Sequence, residues 1–270
     1  MRFFILNSSG NVGKSTLARE LLFPRLDNAK IIEVETVNKS TKDYPFFKDH
    51  VYLHQAGDNF DDLYLQIVEN ENLILDVGAS QLGEFWRQLS AYAGVEQIFD
   101  YFIVPATATD KQMEDTAKTI IFLQKMGIED EKIKVVFNEV SRSVKNDFSA
   151  LLNAKSIDFN FDEELAISKS SVFKELGLLK RAVFEIYNPD LDFYRKKILE
   201  AKEPAEKLKM VKLDLANRMA SKVLAEMDFV FEKITGQAPQ RIEVEPEEER
   251  PLPPAEKVEE AEVSDDDDDL

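Results

Sequence analysis

The chain has 270 residues, of which 44% are hydrophobic, and this length is enough to bury a full α/β core in one main domain. It contains no cysteine, so disulfide bridges and cysteine-ligated zinc are excluded. The net charge of −18 is concentrated at one end, because residues 237–270 hold 14 acidic and three basic residues. The remaining body is mildly acidic, which excludes a protein that binds nucleic acid over its whole surface but leaves local basic patches open.

A phosphate-binding loop is predicted between the apolar run Phe3–Leu6 and the helix-like segment Leu17–Leu22. Backbone N–H groups at a glycine-preceded helix N-terminus converge on phosphate, and a neighbouring lysine and hydroxyl serve its outer oxygens and Mg²⁺. Here Lys14 would reach the phosphates and Ser15 would ligate Mg²⁺. Because Ser8 stands at the first glycine of G-x-x-x-x-G-K-[ST], a plain glycine turn capped by a serine is the alternative. The predicted nucleotide-binding residues of the loop are Gly10, Asn11, Val12, Gly13, Lys14, Ser15 and Thr16.

Two acidic residues, Glu33 and Glu35, lie at the end of the next predicted strand, Lys30–Val34. Ligands bind outside the carboxyl ends of the strands in open α/β sheets, so both are candidates to position Mg²⁺ or water. Ordinary loop residues are the alternative. The elements predicted next are a flexible loop at 36–48, a short strand at 51–54 and a helix from about 59 to 68.

A second motif is the run Leu73–Ala79, in which three apolar residues precede Asp76 and Gly78. An aspartate at the end of a buried strand beside a phosphate loop holds the Mg²⁺ shell, and a glycine lets the backbone approach the γ-phosphate. Taken alone, the pattern is also that of a strand followed by a turn. Paired with the N-terminal loop, it predicts Asp76 as a second magnesium residue beside Ser15.

The middle of the chain predicts a helix at Gln81–Tyr92, a buried strand at Tyr101–Pro105 ended by its proline, and a helix at Asp110–Met126 ended by Gly127. A further strand runs from Lys132 to Asn138. The amide of Asn138 offers a donor and an acceptor to a purine edge, with a strand-ending cap as the alternative.

The last third predicts a short strand at Ile157–Phe159 and a helix from Ser170 through Leu176. Beyond these, helices are predicted at Leu191–Ala201 and Pro204–Ile234. The apolar residues of the final helix recur with a period of 3.6, which indicates a helix that covers the sheet; partner contact is the rarer alternative.

The C-terminal segment, residues 237–270, contains five prolines and ends in the acidic run Asp265–Asp269. It lacks the apolar residues needed to form a core, so we expect a disordered acidic tail after a folded domain at 1–236. A block of aspartates usually acts as a solvating tail, and it can also compete with DNA for basic surfaces or bind a basic partner.

Strands that alternate with helices, with the phosphate loop after the first strand, predict a doubly wound, mostly parallel α/β sheet of the P-loop NTPase type. C-terminal helices begin at about residue 190. The N-terminal apolar run is too short for a signal peptide, and no stretch approaches the roughly 18 apolar residues of a membrane span. We therefore expect a cytoplasmic protein without integral membrane contact.

The order of these motifs resembles the ParA/MinD group of ATPases, and within it the ParA-like plasmid stability and partition proteins of the StbB type, over approximately residues 1–185. The resemblance implies an ATPase with ATP and Mg²⁺ as cofactors and catalytic roles for Lys14, Glu35 and Asp76, with Glu35 orienting the attacking water. It implies Asn138 as an adenine-reading amide, since Glu139 and Ser141 replace the lysine and aspartate of the guanine-specific Asn-Lys-x-Asp motif. It also implies a homodimer in the ATP form, contact with DNA or a DNA-binding adaptor, and association with the nucleoid.

The chain departs from the group's Lys-Gly-Gly-x-Gly-Lys-[ST] motif, because Ser9 and Asn11 replace its first lysine and second glycine. In the group that lysine acts across the dimer on the partner's nucleotide. Its absence predicts that hydrolysis is slow unless another cation substitutes. Three functions stay open: a partition or positioning ATPase, a small-molecule ATP-dependent enzyme of the dethiobiotin-synthetase type, and a nucleotide-binding adaptor that barely hydrolyses. Basic residues that could touch DNA phosphates, with a solvated helix face as the alternative, are Lys169, Lys174, Lys180, Arg181, Arg195, Lys196 and Lys197.

Overall fold

The computed structural model describes residues 1–35 and 41–242. Seven parallel strands form one sheet in the order β3-β2-β4-β1-β5-β6-β7, so β2 to β4 lie on one side of β1, with β4 next to it, and β5 to β7 lie on the other side. This confirms the predicted doubly wound α/β fold. The strands are β1 (Arg2–Ile5), β2 (Lys30–Val34), β3 (Val51–His54), β4 (Leu73–Val77), β5 (Tyr101–Ala106), β6 (Ile133–Val140) and β7 (Ala166–Ser168).

Helices cover both faces of this sheet. The first, α1, passes directly into a π-helical segment at Leu17–Leu22 and a 3-10 turn at Phe23–Arg25. The helices in the described residues are α1 (Lys14–Thr16), α2 (Phe60–Glu69), α3 (Leu82–Leu89), α4 (Asp110–Lys125), α5 (Val144–Asp147), α6 (Ser149–Leu152), α7 (Val172–Leu178), α8 (Val183–Ile186), α9 (Phe193–Glu200) and α10 (Pro204–Thr235).

The alternation of side chains along β1 divides the core into two layers. Phe3 and Ile5 face one layer, with the π-helical segment, α7, α8 and α10. Phe4 and Leu6 face the other, with α2 to α6. All four side chains are fully buried, as expected for a central strand of a parallel sheet that is covered on both faces.

Arg25 connects the segment after the first helix to α10. Its guanidinium donates to the carbonyls of Glu20 and Leu21, to the carbonyl of Leu224, and to Asp228 at 2.8 Å. A buried cation needs such partners, because unpaired burial of a charge is costly. The predicted stripe of α10 packs in the same layer, so the role of this helix in covering the sheet is confirmed.

The structure corrects the predicted end of β5. The strand continues through Pro105 to Ala106, and Pro105 is in register with Val136 of β6. A proline is tolerated here because β1 pairs with β5 only as far as Ile103 and Leu6. The side of β5 to which an N–H at position 105 would point has no paired residue of β1, so the N–H that proline lacks is not needed for a hydrogen bond between strands.

The predicted strand at Ile157–Phe159 is wrong, because this segment is irregular and its two apolar residues pack against the core from outside the sheet. The last strand is β7, which begins at Ala166. Within the predicted loop at 36–48, residues 41–48 form two 3-10 turns, and Phe47 is fully buried. Residues 36–40 lie outside the described part of the chain.

The body continues past the predicted boundary at residue 236. The N–H of Ile242 donates to the carbonyl of Pro24 at 2.8 Å, and Arg241 pairs with Asp228. The rest of the predicted tail, 243–270, lies outside the described residues. No helix in 1–35 or 41–242 is both long and apolar enough to cross a membrane.

Candidate functional site

The carboxyl ends of the parallel strands surround one cleft of about 1070 Å³. The loop after β1, the ends of β2, β4 and β6, and the segment from the end of β7 into α7 all contribute to it. Val12, which is buried, is the one predicted site residue that does not line it. The predicted residues that line the cleft are Gly10, Asn11, Gly13, Lys14, Ser15, Thr16, Glu35, Asp76 and Asn138, together with Glu33 and Gly78.

Two residues of the loop have positive φ, Asn11 at 58° and Gly13 at 95°. Asparagine is among the non-glycine residues that best tolerate the left-handed region. Asn11 can therefore take the conformation of the glycine that it replaces in the ParA/MinD motif. The departure at this position does not prevent the loop from forming.

Gly13 is required because the side chain of Asn138 lies directly against it. A Cβ at Gly13 would clash with Asn138 Nδ2, which donates to the carbonyl of Val12 at 3.1 Å. Asn138 thus supports the loop from β6, and it lies within that strand, two residues before its end. The amide that was predicted to read a purine edge is engaged with the loop backbone.

Lys14 is buried beneath the loop and opposite the acidic residues. Its Nζ donates to the carbonyl of Ser9 at 2.9 Å and to that of Asn7 at 3.4 Å. Burial lowers the pKa of Lys14, while the negative charges of Asp76 and then Glu35 oppose that change. A cation held by two carbonyl groups can exchange them for phosphate oxygens, to which its hydrogen bonds are stronger.

Ser15 and Asp76 meet as the sequence predicted, with Ser15 Oγ donating to Asp76 Oδ2 at 2.6 Å. The pKa of Asp76 is raised to about 7, chiefly by burial and also by the negative charges of Glu33 and Glu35, while Ser15 and Lys14 oppose the rise. A buried carboxylate that is hydrogen-bonded to a hydroxyl offers two oxygen ligands to a divalent cation, since Mg²⁺ takes oxygen ligands. No group of three or more acidic or histidine side chains in the described residues could hold a metal alone. Further ligands, such as phosphate oxygens, would therefore be needed.

Glu35 and Gly78 are in direct contact across β2 and β4. A Cβ at Gly78 would clash with the Glu35 carboxylate, and the N–H of Gly78 donates to the carbonyl of Val34 at 2.9 Å. Glu33 is buried and accepts from the N–H of Thr41 at 2.8 Å. Glu35 is thus placed beside the second motif, and Glu33 orders the start of the segment that follows residue 40.

We expect Asp76→Asn to stabilise the empty protein at neutral and alkaline pH. The folded-state pKa of Asp76, about 7, lies above the ordinary value of 3.8, so the folded protein binds the proton more tightly than the unfolded chain does. Stability contributed by this group is therefore lost as pH rises from about 4 to about 7, by up to roughly 4 kcal/mol. The variant lacks this loss.

Urea unfolding without nucleotide or Mg²⁺ across pH 4.5 to 8.5 measures this difference. The stability gain of Asp76→Asn should grow up to about pH 7 and then level off. Asp158→Asn, at an exposed position, gives the response of a surface carboxylate as the control. A gain that is independent of pH would contradict the burial of an unneutralised carboxylate.

Sequence reasoning missed Asn7, the residue that anchors the start of the loop. Its Nδ2 donates to the carbonyl of Pro105 at 2.8 Å and to Thr116 Oγ1 at 3.0 Å, while its Oδ1 accepts from the N–H of Ser9 at 2.7 Å. The available signal was a polar residue immediately after an apolar strand. Asn7 is fully buried and connects the loop to β5 and α4.

The segment after β7 was also missed as part of the cleft. Ser168, Ser170, Ser171 and Phe173 line it together with two lysines that were considered only for DNA. Lys169 and Lys174 thus lie at the cleft and apart from the others. Lys180 lies beside Asp43 and over the Tyr44 ring, and on α9 Arg195 and Lys196 pair with Asp192 and Asp190 while Lys197 lies over Phe193. Of the predicted basic residues, Lys169 and Lys174 therefore belong to the lining of the cleft, and the others do not.

Comparison with known proteins gives fold-level similarity. No protein-family model and no curated protein sequence matches the chain. Similar solved structures include the MinD cell division protein of Aquifex aeolicus, with 12% identity over 82% of this chain and 97% of that one and a TM-score of 0.43.

A McdA variant of Cyanothece in complex with ATP shares 15% identity over 83% of this chain and 96% of that one, with a TM-score of 0.42. A ParA family ATPase of Chlorobium tepidum shares 13% identity over 79% of this chain and 97% of that one, with a TM-score of 0.45. At these identities the similarity concerns the fold alone.

Proposed function

We propose that the chain is a ParA-like ATPase that binds Mg·ATP in the cleft at the carboxyl ends of its strands. The observation that carries this proposal is the meeting of Lys14, Ser15 and Asp76 next to a glycine loop that enters a helix. A cation, a hydroxyl and a buried carboxylate at that place form the donor and acceptor set of a nucleoside triphosphate site.

The residues of the loop bind and orient the phosphates. Backbone N–H groups of the loop and of the first turn of α1 donate to phosphate oxygens, and Lys14 exchanges the carbonyls of Ser9 and Asn7 for the outer phosphates. Ser15 and Asp76 would hold Mg²⁺, which neutralises developing charge on the phosphates when bound. Glu35 lies beside Gly78, where it would position the attacking water.

Nucleotide occupancy would act on the contact between Glu35 and Gly78. A γ-phosphate near the backbone of Gly78 would fix the segments that carry Glu35 and Gly78, and hydrolysis would release them. We infer that the ordered state favours a homodimer and contact with DNA or a DNA-binding adaptor, so the cycle works as a switch in plasmid stability, partition or positioning. Asn138 lies against Gly13 and Val12, and it would hold the loop in the conformation that binds adenine nucleotides.

A nucleotide-binding adaptor that barely hydrolyses is the second candidate, and the position of Ser9 favours it. Ser9 is buried, and its backbone N–H and carbonyl are both engaged within the loop. A short side chain there cannot act on the nucleotide of a partner subunit as the lysine of the group does. Hydrolysis is therefore expected to be slow unless Lys169 or Lys174 supplies that charge.

Turnover of ATP and of GTP, with and without DNA, tests the proposal together with size-exclusion profiles in a slowly hydrolysed ATP analogue. We expect ATP-specific turnover that DNA stimulates and a dimer that forms only with the analogue. Tight ATP retention with turnover near zero would favour the adaptor. Turnover that requires a metabolite and ignores DNA would instead indicate a small-molecule enzyme and contradict the proposed switch.

A further inference from the structure

The hairpin of α9 and the first half of α10 is basic in an otherwise acidic protein. Residues 194–212 contain seven basic and three acidic residues, whereas residues 1–242 as a whole contain 32 basic and 38 acidic residues. Four lysines of this segment form no ion pair with any residue in the described part of the chain, namely Lys202, Lys207, Lys209 and Lys212. Their positive charge is therefore not neutralised locally.

The same hairpin exposes aliphatic side chains to water. Leu208, Val211 and Leu215 are spaced by three and four residues and lie on one face of α10. Leu208 and Leu215 are 58% and 56% exposed, and Leu199 at the end of α9 is 78% exposed. The buried stripe of α10, from Ala216 to Ile234, lies on a different side of the helix and is already used against the sheet. We call Leu208, Val211 and Leu215, with Lys207 and Lys212, the hairpin face.

We propose that the hairpin face binds the acidic C-terminal segment of the same chain, residues 256–269. This segment alternates charge with apolar residues in Val258-Glu259-Glu260-Ala261-Glu262-Val263 and then ends in five aspartates. The segment is thus complementary to the face in charge and in apolar character. Its acidic residues can pair with the lysines of the face, and its valines can pack on the exposed leucines. This inference is independent of the proposed function of the cleft.

The place where the described chain stops makes this binding geometrically feasible. Ile242 is bound to Pro24, and Arg241 pairs with Asp228 on the second half of α10. Along the helix, Leu208 is about 30 Å from Asp228, at 1.5 Å per residue. Val258 follows Ile242 by 16 residues, which span roughly 22 Å on average and at most about 55 Å. The segment therefore meets the face at a high effective concentration.

Disulfide trapping tests the proposal in the full-length chain, because the protein has no cysteine of its own. The test pair is Ser264→Cys with Ala205→Cys, an exposed residue of α10 that lies three residues before Leu208 and seven before Lys212 and therefore on the same side of the helix. The control pair is Ser264→Cys with Glu131→Cys, an exposed residue just before β6. At low salt we expect the test pair to form an intramolecular disulfide at least tenfold faster than the control pair. In 1 M NaCl, where screening is strong, we expect the ratio to fall below about twofold.

Two further variants separate docking from general attraction. Lys207→Glu with Lys212→Glu changes exposed, unpaired residues, and it should remove the rate difference without loss of folding. Val258→Ser with Val263→Ser keeps every charge of the segment and should still lower the ratio by at least threefold. Equal rates for both pairs, a ratio that salt or these variants leave unchanged, or disulfides formed only between molecules would each overturn the proposal.

Discussion

Replacing Lys14 with alanine is expected to lower the affinity for Mg·ATP by roughly 100-fold or more. Lys14 is the buried cation next to the loop, and each charge-assisted hydrogen bond to a phosphate contributes about 1.5 to 3 kcal/mol. Two such bonds are lost in the variant. Because the hydrogen bonds of Nζ within 1–35 and 41–242 go only to the carbonyls of Ser9 and Asn7, the folded state should lose much less than nucleotide binding does.

Isothermal titration calorimetry with a slowly hydrolysed ATP analogue measures the change for Lys14→Ala. Lys145→Ala, which removes an exposed lysine outside the cleft, is the matched control and should bind as the unmodified protein does. Unchanged affinity in Lys14→Ala would contradict the proposal that the phosphates bind in this cleft.

Gly13→Ala is expected to cause the second largest loss, in both stability and nucleotide binding. At a φ of 95° an alanine is strained by about 1 to 2 kcal/mol, and its Cβ would also clash with Asn138 Nδ2. The loop must move to relieve this clash, which displaces the N–H groups next to it. We expect a total destabilisation of about 2 to 4 kcal/mol.

A double-mutant cycle with Asn138→Ala separates the two causes. The shortened side chain removes the clash but leaves the backbone strain, so Gly13→Ala should cost less in the Asn138→Ala background by about 1 to 2 kcal/mol. Urea unfolding of the four proteins gives this coupling. Gly10→Ala is the control, because a Cβ at that position meets no atom of the described residues within 4 Å. Additive effects would contradict the contact between Gly13 and Asn138.

The features that the sequence predicted correctly have local signals. The strands before Asn7 and around Asp76 are continuous apolar runs, and the long helices show a 3.6-residue period with clear ends, such as Gly127 after α4. Each motif residue follows or ends an apolar strand, and the carboxyl ends of parallel strands lie at the same edge of a sheet. The loop, Glu35 and Asp76 could therefore be assigned to one cleft without coordinates.

The features that the sequence did not predict depend on contacts between distant residues. Asn7 is 98 residues from Pro105, and Asn138 is 126 residues from Val12, so no local pattern identifies either hydrogen bond. β7 has only three residues, and its alternation is too short to distinguish it from the apolar residues near Phe159. The lysines after β7 were grouped by charge, because their place at the cleft depends on how β7 pairs with β6.

Hydrogen exchange of the loop amides is the most direct test of the central claim that this cleft binds a nucleoside triphosphate. Mass spectrometry of peptides that cover Gly10 to Thr16 should show strong protection with Mg²⁺ and the ATP analogue, little with adenosine, and none in Lys14→Ala. Peptides that cover Asp76 to Gly78 should be protected under the same conditions. Binding of the analogue with no protection of the loop would contradict the account.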